Sequence, residues 1–426
     1  MSNLLTLKDI SILITKGTTP TSIGRNFVST GINFVKSESI KDSKHLDSSL
    51  FMKIDSETDD KLKRSRLEKD DLLFSIAGAY LGKLAIVQDI DLPANTNQAV
   101  GIIRLNKRKA NVDYIYYFFS QPSVNKYINS LSAQSSQPNI NLELLGRLSF
   151  KYIDLKEQIK IANILSVIDK KIELNKRINT ELEAMAKTLY DYWFVQFDFP
   201  NKDGKPYKST GGKMVYNAIL KREIPEGWKN IQLGNVVARI GTGLNPRDNF
   251  KLGEGKNYYI TIKDIEQNKI LFSDKADRIS DEALDIINQR SDLKEGDILF
   301  TSIQPVGLTY LIHNKPINWN INESVFTIRA NSSLVTSEYL FKLLSSEQMK
   351  VFTKNSSSGS VHKGIRHGIL KTFVFAYPSL PRIEKFTAVI KPILQKQYNL
   401  EIENQQLATL RDWLLPMLMN GQVTVK

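Results

Sequence analysis

The chain has 426 residues, more than one hydrophobic core normally serves, so two or more domains are expected. Hydrophobic residues make up 41%, enough for globular cores, and there is neither an apolar run of about twenty residues for a membrane span nor a basic-apolar signal segment at the start. The absence of cysteine excludes disulfides and thiolate metal sites and fits a reducing cytoplasm, and the net charge of +13 leaves a polyanion as the obvious partner, although a merely soluble basic protein would show the same total.

Residues 1–150 read as a first globular domain. Leu4 to Ile14 is a β-like start, closed by a turn at Gly17-Thr18-Thr19-Pro20. Short strands follow at Ile32–Val35, within Leu67–Ile76, at Lys83–Val87 and at Val100–Leu105. Gly78 to Gly82 reads as a loop. Asp113–Ser120 starts an aromatic-rich helix, and a polar loop around Gln134–Asn139 precedes a last strand at Leu148–Ile153.

Residues 151–200 then change character. From Leu165 onward, Leu165, Ile168, Ile172, Asn175, Asn179, Leu182, Ala186, Leu189 and Trp193 recur in steps of three and four, which places them on one helix face. Lysines and glutamates occupy the rest of the circumference. A helix of this length with an apolar stripe needs a partner. The partner is in the same chain, 225 residues downstream: Ile390, Ile393, Gln397, Leu400, Asn404, Leu407, Arg411, Leu414 and Leu418. Asn179 and Asn404 coincide, and polar residues on such a seam fix register. Pro392 aligns with Val167, so a short helix should precede Pro392 and a long one of about 28 residues, or ~42 Å, should start there. A similar break is expected near Ser166. About a dozen base pairs of duplex match that length.

A connector at 198–230, rich in Pro, Gly and Lys in its first half, is expected to be exposed and irregular there. Residues 201–378 hold this connector and a second domain, and residues 379–426 hold the second helical stretch. The second domain repeats the first. At an offset of 226, Leu7 meets Leu233, Gly17 meets Gly243, Pro20 meets Pro246, and Asp71 meets Asp297. At 225, Gly82 meets Gly307, Arg104 meets Arg329, Tyr114 meets Tyr339, and Phe150 meets Phe375. Matched positions are mostly those that set a fold, and the unmatched ones are mostly loops. The basic excess follows the domains: +4 on 1–150, 0 on 151–200, +7 on 201–378 and +2 on 379–426.

Two copies of one scaffold with different loop chemistry suit a reader of two different half-sites. The candidates for DNA contact are divergent loop residues beside scaffold Gly and Pro. In the first domain these are Lys16, Thr18, Thr19, Lys36, Ser37, Tyr80, Lys83, Gln134 and Asn139. In the second they are Thr242, Asn245, Arg247, Thr261, Lys263, Gln304, His362, Lys363 and Arg366. Arg pairs with guanine, Asn or Gln with adenine, and Lys mainly holds phosphate. For any single residue a solvated surface side chain is an equal alternative.

No phosphate-binding loop, amino-methyltransferase tetrapeptide or Gly-rich cofactor fingerprint occurs. The four histidines are scattered without metal-ligand spacing. Asp248, Glu254 and Lys256 have a nuclease-like spacing, and carboxylates so placed can hold Mg²⁺. They fall in a Gly/Asn-rich stretch with no counterpart in the first domain, which favours a solvated loop. A self-sufficient Mg-dependent nuclease and a coiled-coil adaptor remain the alternatives.

Over its whole length the chain resembles the specificity subunit of type I restriction–modification systems. The resemblance is carried by Phe197-Asp-Phe-Pro, Gly204-Lys-Pro-Tyr-Lys208, Gly211-Gly-Lys-Met214 and Ile224-Pro-Glu-Gly-Trp228, in that order after the helix. Leu155-Lys-Glu-Gln158 and the run through Ile168-Asp169-Lys-Lys-Ile172 also look like the family's central helix. The first domain departs in lacking a counterpart of Pro225 to Trp228. The resemblance implies an α+β fold. Two mixed α/β target-recognition domains are separated by two long antiparallel helices in a coiled coil, as an internal pseudo-twofold repeat. It implies double-stranded DNA as target, two methylation subunits bringing S-adenosylmethionine, and two motor–nuclease subunits using ATP and Mg²⁺. The chain itself would carry no catalysis, cofactor or metal and would work in the cytoplasm.

Overall fold

In the computed structural model, residues 4–41, 43–131, 139–357 and 364–425 are described. Leu4–Thr6 pairs antiparallel with Ser149–Lys151, with Leu5 opposite Phe150, so the two ends of the first domain close on each other. Lys229–Gln232 and Val374–Tyr377 do the same for the second, with Ile231 opposite Phe375. The expected continuous strand from Leu4 to Ile14 is interrupted by a helical turn, Leu7–Ile10. The cause is local: Thr6 and Asp9 form a reciprocal capping box, and the turn drives Leu7 and Ile10 into the core.

Each domain holds the same pair of sheets. In the first, Ser11–Lys16, Val100–Leu105, Leu72–Ser75 and Leu84–Ile86 lie side by side in that order, all antiparallel. Beside them Met52–Ile54, Ile32–Val35 and Ala94–Thr96 form a three-stranded sheet whose last pair is parallel. In the second, Val237–Thr242, Val325–Ala330, Ile298–Thr301 and Thr309–Leu311 repeat the first order. Asp277–Ile279, Asn257–Ile260 and Trp319–Ile321 repeat the second, again with a parallel last pair. The matched charges of the two copies are structural. Arg104 forks onto both oxygens of fully buried Asp71 at 2.8 Å, and Arg329 onto Asp297 at 2.7 and 2.8 Å.

The two long helices are Leu155–Tyr190 and Leu380–Met419, of 36 and 40 residues. Neither breaks where the sequence suggested. The second runs through Pro392, which is exposed. A proline there forgoes one backbone bond, but Ile383, Phe386, Ile390 and Leu394 flank it as buried core residues and hold both sides in one helix. Ser166 likewise sits inside an unbroken helix. The first helix ends instead in a π-helical turn, Asp191–Val195, that turns Trp193 and Phe194 into the core.

The chain divides into two compact units, residues 1–174 with 404–426, and residues 175–403, so each long helix contributes to both. In the first unit Ile161, Ala162 and Leu165 pack with Leu415, Leu418 and Met419 against Tyr114, Phe119 and Phe150. Asp169 accepts from Arg411 at 2.9 Å and from the Tyr117 hydroxyl at 2.5 Å. In the second unit Ala186, Tyr190, Trp193 and Phe194 pack with Ile383, Phe386 and Ile390 against Tyr339 and Phe375. There the helix register is antiparallel: Asn175 donates to Glu403 at 2.8 Å, and Asn179 and Gln397 exchange side-chain-to-carbonyl bonds at 3.3 and 3.4 Å.

Along the seam Leu165, Ile168, Ile172, Trp193, Ile390, Leu400, Asn404 and Leu418 are buried, while Asn179, Leu182, Leu189, Ile393, Leu407 and Leu414 are half-buried. Leu394 and Leu415, one position further on, take the buried places beside Ile393 and Leu414.

The connector is more ordered than its composition suggests. Residues 202–205 and 208–211 are exposed turns, but Phe197, Asp198 and Phe199 are buried, and Met214–Asn217 pairs with Arg222–Pro225 as a hairpin. Trp228 stacks on Phe199 (5.3 Å, 14°) and meets Phe197 edge-on. In the first unit, which lacks that tryptophan, the places equivalent to Trp193 and Phe194 are taken by buried Leu418 and Met419.

Candidate nucleic-acid interface

Strand register brings the divergent loops of each domain to one end. In the first domain Lys16 pairs with Gly101, Ser75 with Val100, and Val35 with Thr96, so three outgoing strands finish where the long strand Val100–Leu105 begins. The two sheets are tied together there. Gly17 and Thr18 donate their backbone N–H groups to the Asn97 and Thr96 carbonyls at 3.1 and 3.2 Å. The approach is so close that a Cβ on Gly17 would stand 1.9 Å from the Thr96 oxygen, which explains a glycine at this point. Lys16–Thr19, Lys36–Ser37, Tyr80, Lys83 and Asn139 all lie at this end; Asn139 arrives through a bridge to Ala77, and Lys83 through its carbonyl bond to Ser75. Gln134 lies outside the described residues.

The second domain repeats the arrangement. Thr242 pairs with Phe326, Thr301 with Val325 and Ile260 with Ile321. Gly243 donates to the Asn322 carbonyl at 3.2 Å, and a Cβ there would stand 1.7 Å from the Ile321 oxygen. Thr242, Asn245, Arg247, Thr261, Lys263, Gln304 and Arg366 gather at this end, the last through the bridge between Ile303 and Gly364. His362 and Lys363 lie outside the described residues.

The side chains differ in how free they are. Lys16, Arg247, Gln304 and Arg366 are exposed. Lys36 faces Glu38 at 3.5 Å, and Lys263 pairs with Asp277 at 3.0 Å, a hydrogen bond that raises its pKa. The Thr261 hydroxyl is committed to Asp264 in a cap, and Thr242 accepts from Arg290 at 3.4 Å. Tyr80 is half-buried with the Lys83 ammonium 5.4 Å from its ring centre, which anchors the loop. Sequence reasoning passed over three residues here. Arg290 reaches the Gly243 carbonyl and Thr242, and Gln98 and Glu323 are exposed at the tips beside Asn97 and Asn322. The signal that could have found the last two is their place in the repeat: a glutamine and a glutamate differ between matching asparagines and valines.

The nuclease-like trio is not assembled into a site. Asp248 and Glu254 are exposed on an irregular stretch, and Lys256 faces Asp281 at 3.5 Å. Among the described residues no three His, Asp or Glu side chains gather as a metal site, and no helix is long and apolar enough to cross a membrane.

The family described as Type I restriction modification DNA specificity domain matches residues 3–184 and 225–411, so both halves of the repeat are matched separately. The chain belongs to this family. It is 26% identical to the MjaIX specificity subunit of Methanocaldococcus jannaschii, covering 82% of this chain and 76% of that protein. It is 22% identical to the HindI specificity subunit of Haemophilus influenzae, covering 84% and 88%. Its fold resembles the crystal structure of the type I restriction-modification S subunit from M. genitalium, at a TM-score of 0.60, 15% identity and coverage of 98% and 95%. As a type I specificity subunit, the chain serves DNA sequence recognition within a larger complex. The two domain ends described above carry side chains that differ between the two repeats on a backbone frame that both repeats share.

Proposed function

We propose that each domain of this specificity subunit reads one half of a split, asymmetric DNA target, at the end where the loops converge. The domains are residues 1–150 and the part of 201–378 after the connector, and the helical stretches 151–200 and 379–426 set the number of base pairs between the half-sites. The supporting observation is the pairing of a repeated frame with unrepeated loops: Gly17 and Gly243 lock the same strand ends, yet the residues that follow differ in charge and in hydrogen-bonding capacity. The chain itself performs no chemistry. Two methylation subunits supply S-adenosylmethionine and methylate adenine N6 in each half-site. Two motor–nuclease subunits use ATP and Mg²⁺ to translocate and cleave DNA. The complex works in the cytoplasm.

The test is a gel shift of the chain with methylation subunits on a duplex library. Binding should select a two-part sequence and weaken steeply with salt, as phosphate contacts require. Binding without sequence preference would count against the proposal. Cleavage of plasmid by the chain alone with Mg²⁺ would favour the nuclease built on Asp248, Glu254 and Lys256.

A further inference from the structure

At the first domain's recognition end, Gln98 is held by Thr19. The Thr19 backbone N–H lies 3.2 Å from Gln98 Oε1, and the Thr19 hydroxyl donates to the same oxygen. A backbone N–H can only donate, so the atom facing it must be the amide oxygen, and the usual ambiguity of an amide's orientation does not arise. Both lone pairs of that oxygen are then occupied. What the exposed side chain offers outward is Nε2 with its two hydrogens, and among the described residues no acceptor takes them. The usual glutamine–adenine pairing needs the amide oxygen to accept from adenine N6, and here that oxygen is closed. The remaining donor surface, with two hydrogens, fits a base edge that presents two adjacent acceptors and no donor, which in the major groove is guanine N7 and O6.

The repeat places Glu323 at the same point of the second domain, following Asn322 as Gln98 follows Asn97. Its exposed carboxylate offers only acceptors. The backbone under both residues is fixed identically, by Gly17 on Asn97 and by Gly243 on Asn322. We propose that positions 98 and 323 are specificity-determining residues of opposite sense: Gln98 donates to a guanine in one half-site, and Glu323 accepts from the amino group of a cytosine in the other. This rests on the reading that these domain ends face DNA.

The experiment determines the bound consensus of the chain with its methylation subunits on a randomised duplex library, for the native sequence and for Gln98→Ala, Gln98→Glu and Glu323→Gln. Gln98→Glu keeps the shape and lets Thr19 bond one carboxylate oxygen while the other accepts. It should exchange guanine for cytosine at one position of one half-site. Gln98→Ala should flatten that position, a loss of preference of roughly tenfold or more. Glu323→Gln should exchange cytosine for guanine in the other half-site only. The half-site left unchanged in each variant serves as the control for folding. An unchanged consensus in all three variants overturns the proposal and leaves the half-site reading standing. Loss of binding to every duplex by both Gln98 variants, with unaltered melting, also overturns it, because position 98 would then set affinity and not sequence. If the native chain yields no two-part consensus, the half-site reading itself fails, and the proposal with it.

Discussion

Tyr114 and Tyr339 stand at equivalent points of the two repeats, each fully buried, and neither hydroxyl meets a hydrogen-bond partner among the described residues. Burial alone pushes the Tyr114 hydroxyl up to about 12. A buried hydroxyl without a partner costs about 1–3 kcal/mol, while the ring beneath it contributes its full apolar burial. Tyr114→Phe and Tyr339→Phe should each raise the stability of the chain by about 1 kcal/mol, seen as a higher urea midpoint at unchanged slope. A fall of that size would mean that the hydroxyls are satisfied. At this scale the sequence was informative where the repeat preserved a residue. The match of Asp71 and Arg104 with Asp297 and Arg329 marked a shared structural need, and the structure supplies it as a buried fork in each domain. It was less informative where a residue's role depends on what a neighbour has already bonded. Nothing in the order of residues says that Thr19 closes the oxygen of Gln98, because they are 79 positions apart and meet only through strand register.

Among the elements, the long helices were legible because a heptad seam survives any detail of packing. Their continuity was not. Propensity argues for a break at Pro392, but propensity is local, and the buried residues on either side of it outweigh one missing backbone bond. The π-helical turn at Asp191–Val195 was equally invisible, since it depends on how Trp193 and Phe194 fill a core supplied by distant segments. The loop between Thr309–Leu311 and Trp319–Ile321 shows how a helix and a domain are joined within one unit. His313 stacks on Tyr398 of the second long helix, with ring centres 4.5 Å apart, and Asn314 donates to the Tyr398 hydroxyl at 2.7 Å. Burial lowers the pKa of His313 to about 4, against an ordinary value near 6.5. Between those two values the unfolded chain binds the proton and the folded chain does not, so stability rises with pH across that window. It is complete above about pH 6.5 and is lost as the pH falls toward 4, by up to about 3 kcal/mol. Urea melts at pH 4.5 and 7.5 should show this acid loss, and His313→Asn should reduce it. An equal loss in that variant would place the acid sensitivity in other groups.

For the whole molecule, the repeat has a consequence for how specificity can be altered. The second recognition segment begins and ends in one two-stranded pairing, Lys229–Gln232 against Val374–Tyr377, so its entry and exit points are bonded to each other and to the same core. Among the described residues, its two sheets contain no strand from outside residues 237–330. A segment bounded in this way can be replaced by the corresponding segment of another family member without cutting either of these two sheets, provided the apolar faces of Ile231, Tyr339 and Phe375 are retained. The seam residues, Trp193 and Phe194 themselves, and the connector hairpin all lie outside it. Exchange of residues 231–378 should therefore replace one half of the recognised sequence and leave both the other half and the number of intervening base pairs as they were. Genome-wide mapping of methylated adenines in a host that carries the chimaera with its methylation subunits reads this directly. A change in both halves would mean that sequence is read jointly by the two domains, and no change at all would place recognition outside the repeated segments.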